Sequence, residues 1–178
     1  MSSQKLNGIK NVGLPSFLGA VVIATFLGAL IVVTGSSASR STPMTWDETF
    51  MAVAEAGFRG SIVAIVAAVL IWFPTYRYVS RNLRLALQLP AMMISGGATA
   101  LPVAIVDTAF DLNPGFTGIW AIYAFFAGIW SASLAWVQVT VFSSRTNKLS
   151  YVRWIGFLVL AVGAVMYGFR TMGAYFGP

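Results

Sequence analysis

The chain has no cysteine and no histidine among its 178 residues. Without cysteine there is no disulfide, no thiolate nucleophile and no cysteine-held iron–sulfur cluster, and without either residue there is no Cys/His zinc site. A haem or chlorophyll ligated by a histidine of this chain is excluded as well. Any proton relay has to run through carboxylates, tyrosines or water. Charge is also scarce: 9% of residues are Asp, Glu, Lys or Arg, where a soluble domain carries about a quarter. Glycine-rich phosphate loops, serine nucleophile elbows and paired-histidine motifs are missing too. From these absences the sequence predicts no enzyme, no bound metal and no cofactor.

What fills the chain instead is apolar. Hydrophobic residues make up 58% of it, and the mean hydropathy is +0.80. That balance belongs to a membrane protein rather than a soluble domain. The net charge of +6 comes from 11 basic residues scattered along the chain rather than gathered in a stripe, which argues against a nucleic-acid partner.

One run sets the scale. Residues Gly115–Phe142 carry no charge. As a helix they would measure roughly 40 Å, against about 30 Å of hydrocarbon in a bilayer. The other apolar runs are read around this one. The expected architecture is all-α: an integral membrane bundle of five transmembrane helices in a single domain, with spans at about 14–34, 58–76, 85–106, 115–142 and 152–172. Between the first and second spans a short interfacial helix is expected, the segment from Thr45 reading either as that helix or as an extension of the second span.

Residues 14–34 follow a polar, Lys-bearing start and precede a run of small residues, the outline of a signal peptide. The apolar core is long for one, so the run is read as a retained helix. Ala20, Ala24 and Gly28 lie four apart on one face of it, a spacing that lets another backbone come close. After a Ser-rich linker, Thr45-Trp46-Asp47-Glu48 reads as a capped helix start, with acids at the positive end of the dipole. Trp46 suits headgroup depth. Glu55 and Arg59 stand in the favoured order for a helical ion pair. Pro74 is expected to kink or end the second span. The third span holds Pro90, Gly96-Gly97 and Pro102 and is expected to break between Ser95 and Pro102. Gln138 is the one strongly polar side chain of the fourth span and is expected to hydrogen-bond across helices.

Five spans place alternate loops on opposite sides. One side takes Lys5, Lys10, Arg77, Arg81, Arg84, Arg145, Lys148 and Arg153, eight of the eleven basic residues. The other takes Arg40, Arg59, Arg170 and all five acids. The positive-inside rule then predicts a cytoplasmic amino terminus, an external carboxy terminus and a location of the inner (cytoplasmic) membrane type. Gly57-Phe58-Arg59-Gly60 and Gly115-Phe116-Thr117-Gly118 open the second and fourth spans, and each is followed at a similar distance by Ile-Trp. That echo fits a duplicated hairpin, and in so apolar a chain it fits coincidence as well.

Ionisable residues at membrane depth are costly and often functional. Here they are Glu55, Arg59, Asp107, Asp111 and Arg170, all expected near the outer ends of their spans. Asp107 and Asp111 alone make a poor divalent site, since hard cations take six or more oxygens. Two functions follow as expectations. The first is a non-catalytic multi-pass subunit that stabilises or regulates a larger complex, its partners being the bilayer and other membrane subunits or a second copy of itself. The second is a small transporter, or a transporter component, with a pocket near Glu55, Arg59 and Asp107.

Overall fold

A computed structural model of the protein describes residues 12–39, 42, 44–110, 118–143 and 146–176. Among the described residues it is all helical: α1 Leu14–Ala38, α2 Trp46–Ala67, a π-helical turn Ala68–Trp72, α3 Phe73–Asn82, α4 Leu85–Gly97, α5 Ala100–Phe110, α6 Ile119–Ser143 and α7 Thr146–Phe176. These form five stretches long and apolar enough to cross a membrane: 14–38, 46–82, 85–110, 119–143 and 148–172.

No separate interfacial helix stands between the first two stretches among the described residues. Thr45 closes a capping box with Glu48, and the helix that starts there runs on without interruption into the span. Trp46–Gly57 is therefore the first three turns of α2. Pro74 does not end the helix either. Pro74 cannot donate to the carbonyl of Leu70, and its ring would collide with that carbonyl in a regular α turn. The chain widens just before it: the Phe73 N–H bonds to the Ala68 carbonyl, five residues back, and helix resumes to Asn82. A π-bulge accommodates the missing donor within a continuous span.

The third stretch is two helices. α4 stops after Gly97, the turn Ala98–Thr99 follows, and α5 begins at Ala100. Pro102 sits in the first turn of α5, where no N–H is needed. The Gly96 carbonyl accepts from the Thr99 N–H at 3.2 Å and from its Oγ1 at 2.6 Å, and that Oγ1 lies 3.2 Å from the Ala124 carbonyl of α6. The stretch also continues past residue 106, so Asp107 lies within α5.

Helix α1 lies at the centre, packed on α2, α6 and α7. Phe17 meets Tyr76 ring to ring at 5.2 Å, and Phe26 fills the space beside Gly57, so α1 and α2 run antiparallel. Gly19 lies against Gly156 and Phe26 against Gly163, so α1 and α7 run parallel. Helix α4 crosses α6 antiparallel, with Gly96 on Gly128 and Gln88 on Trp136. The interior is filled by Phe17, Val21, Ala68, Trp72, Met92 and Val139, all buried. Facing outward are Val32, Leu70, Ile94, Phe110 and Phe169, each about 70% exposed or more. The apolar surface is thus on the outside of the bundle as well as inside it, the reverse of what water tolerates.

These pairings put the ends of the bundle in register. One end gathers the start of α1, the end of α3, the start of α4 and the start of α7, and with them Arg77, Arg81, Arg84, Lys148 and Arg153. The other gathers the end of α1, the starts of α2 and α6, and the end of α7, and with them Asp47, Glu48, Glu55, Arg59, Asp107 and Arg170. They are called the basic end and the acidic end below.

Candidate functional site

The charged side chains of the acidic end form two separate groups. The first joins α2 to α7. Glu55 is half-buried. Its Oε1 accepts from Arg59 Nη2 at 3.0 Å, one helical turn away, and its Oε2 pairs with Arg170 Nη1 from α7. Arg59 also lies over the Tyr167 ring, 5.1 Å from its centroid, and its Nη2 is 3.4 Å from the Tyr167 hydroxyl. Phe58 packs on the same ring, 5.4 Å from the Tyr167 centroid. Both arginines remain more than half exposed. In that setting solvent screening leaves each ion pair little net effect on stability. Within the group two guanidiniums share one carboxylate.

Beside it opens a cleft of about 720 Å³ lined by Thr42, Met44, Asp47, Glu48, Met51, Ala52 and Arg170. Its lining thus combines two acids from the first turn of α2, a cation from α7 and two methionines. Among the described residues no three Asp or Glu converge in a way that could hold a metal.

The second group is Asp107. It is 1% exposed, and its Oδ2 accepts from the Gly118 N–H at 2.7 Å. Gly118 has φ +90°, a conformation that suits glycine, and caps α6 through its carbonyl bond to Ile122. Asp107 therefore sits at the positive end of α6 and caps it from a different helix. Its Oδ1 is buried with no hydrogen-bond partner among the described residues. Helix α5 packs on α6, whereas Glu55, Arg59 and Arg170 lie on α2 and α7. Among the described residues no hydrogen bond or ion pair joins Asp107 to Glu55 or Arg59: Asp107 holds the Gly118 amide ahead of α6, while Glu55 and Arg59 engage α7. Asp111 lies outside the described residues, as do Gly115, Phe116 and Thr117 of the repeat.

Gln138 is half-buried, and its side chain makes no hydrogen bond among the described residues. The interhelical glutamine is instead Gln88. It is 3% exposed, its Nε2 donates to the Leu83 carbonyl at 3.0 Å, and its Oε1 accepts from Trp136 Nε1 at 3.2 Å. Gln88 is plain in the sequence, but nothing there says which face of α4 meets α6. Ala20 and Ala24 are fully buried, and the Ala24 carbonyl accepts from Trp130 Nε1 at 3.0 Å. Gly28 lies under the same indole, Gly96 meets the Gly128 backbone, and Gly97 lies under Phe125. The partners Gly19, Gly128, Gly156 and Tyr167 carry no signal of their own in the sequence, and Trp130 stands out there only in the Ile-Trp echo.

No family model matches the chain, and neither does any curated protein or any solved structure.

Proposed function

We propose that the chain is an integral membrane protein whose five apolar stretches cross the bilayer, with the basic end on the cytoplasmic side. We further propose that it serves as a non-catalytic subunit, acting through its outer faces. The observation that carries this reading is where the polar and apolar groups lie. The middle of the bundle is closed by direct backbone contact at Gly96–Gly128 and Gly19–Gly156 and packed with Phe17, Trp72 and Met92. Among the described residues, charge is confined to the two ends. Aromatic side chains ring both levels: Trp46, Trp120 and Tyr123 at the acidic end, and Tyr78, Tyr151 and Trp154 at the basic end, all exposed. Such belts mark the depth of the headgroups. What remains for contact is the apolar outer surface, which suits lipid and neighbouring membrane helices.

Two experiments test it. The chain has no native cysteine, so single cysteines in place of Arg81 and Asp47 report without background. In intact cells or sealed vesicles, an impermeant maleimide should label Asp47→Cys and spare Arg81→Cys. Labelling of both from outside would exclude the spanning arrangement. For the subunit role, crosslinking in mild detergent should recover a complex larger than the monomer; isolation as a bare monomer alone counts against it.

The second reading, a small transporter or transporter component, is favoured by the cleft beside Arg170 and is retained without Asp107. It expects altered flux in Asp47→Asn and Glu55→Gln, and it fails if both carry out transport as the parent does.

A further inference from the structure

The two ends of the bundle treat their helix starts differently. At the acidic end, α2 is closed by Thr45 and Glu48 and α6 by Asp107. At the basic end α1, α4 and α7 begin, and none has an acidic residue in its first turn. Gly13 and Arg84, at the cap positions of α1 and α4, supply no side-chain hydrogen bond. Each such terminus carries roughly half a positive charge.

Five cations surround these termini. Arg77, Arg81, Arg84 and Lys148 are exposed and Arg153 is half-buried. The ion pairs among the described residues are both made by Glu55 at the far end, so none of these five has an acidic partner there. The Arg77 guanidinium lies 5.7 Å from the Phe73 ring centroid and that of Arg153 lies 5.4 Å from Trp154. Stacking occupies the face of a guanidinium and leaves its N–H edge for an oxygen anion. The two clusters flank the first turns of α1, where Phe17 touches Tyr76 and Gly19 lies against the Arg153 backbone.

We propose that this end binds the headgroups of anionic phospholipids. Three helix starts without acids and five cations without an acidic partner among the described residues make this end favourable for an anion, and the acids among the described residues lie at the opposite end. At the depth marked by Tyr78, Tyr151 and Trp154, the anion at hand is a lipid phosphodiester. Juxtamembrane clusters of this size attract anionic headgroups, and each Lys or Arg strengthens binding about fivefold.

The inference rests on the membrane-spanning reading, and the test separates the two. The full chain is reconstituted in vesicles of phosphatidylcholine alone or mixed with phosphatidylglycerol, and quenching of its tryptophans by brominated forms of each lipid is compared. Brominated phosphatidylglycerol should quench more strongly, and the excess should fall at high salt. Combining Arg77→Gln, Arg81→Gln and Arg84→Gln should reduce the preference on the order of 100-fold. Combining Arg59→Gln with Arg170→Gln should leave it unchanged. Inorganic phosphate should lower it no more than chloride at the same ionic strength; a loss caused by phosphate and not by chloride would identify a soluble anion as the ligand and refute the lipid assignment. Equal quenching by the two lipids, with the chain correctly inserted, refutes the inference and leaves the spanning reading in place. A chain that enters neither vesicle overturns both.

Discussion

Substituting Gly96 by alanine tests the crossing on which the interior depends. A β-carbon on Gly96 would lie 2.8 Å from the Ile129 amide nitrogen and closer still to the carbonyl of Gly128. All three of its nearest neighbours are backbone atoms, so no side chain can swing aside. Carbon atoms rest at about 3.5–4.0 Å, and a gap of about 0.5–1 Å already forfeits a quarter to a half of each contact. Helices α4 and α6 would have to part by about that amount. The same movement would lengthen the bonds from Thr99 to Ala124 and from Trp136 to Gln88. Overpacking of this kind costs about 1–3 kcal/mol, while alanine in place of glycine favours the helix itself by up to about 1 kcal/mol. Gly168→Ala provides the comparison, because a β-carbon there meets nothing within 4 Å. The helix gain is common to both variants, so reversible unfolding in mixed detergent micelles should show Gly96→Ala less stable than Gly168→Ala by about 1–3 kcal/mol, roughly a 5- to 150-fold ratio of unfolding constants at about 1.4 kcal/mol per tenfold. Equal stability of the two variants would mean that the backbones do not touch at Gly96–Gly128 and that α4 and α6 stand further apart.

The remaining predictions concern single polar contacts. Gln88→Leu should cost about 1 kcal/mol by leaving the Trp136 indole N–H unpaired, and a double-mutant cycle with Trp136→Phe should show coupling of about 0.6 kcal/mol; zero coupling would mean that the bond contributes nothing. Asp107→Ala should lower stability by about 1 kcal/mol through loss of the α6 cap, measured by the same unfolding assay, and a variant as stable as the parent would show that the carboxylate does not hold the Gly118 amide. Glu55→Gln should lower it by no more than about 1 kcal/mol, because Arg59 and Arg170 stay wetted. A larger loss would mean that the group is far drier than its exposure indicates.

Features that depend on near neighbours in the chain are legible in the sequence. The cap at Thr45–Glu48 needs residues three apart, and both its hydrogen bonds are present. The break in the third span follows from two glycines and a proline within seven residues. Pro74 is legible as a disturbance but not as a π-bulge, because a missing N–H and a ring clash can be met either by ending the helix or by widening one turn, and the local sequence does not choose between them. Asp107 and Gln138 go the other way. Each stands out for being polar among apolar residues, and that property says nothing about which way it faces.

Residue order alone is enough to mark out five apolar stretches and the gathering of Lys and Arg in alternate loops. Both are one-dimensional properties: length against bilayer thickness, and the sign of charge between spans. It takes the packed bundle to show that α1 is central, that Glu55 meets Arg170 across 115 residues, that Asp107 serves α6, and that Gln88 rather than Gln138 joins two helices. Nearly every face of these helices is apolar, so hydrophobicity does not choose among rotations about a helix axis. Close backbone approach at a few glycines makes that choice, and it depends on pairs of residues that no reading along a single chain brings together.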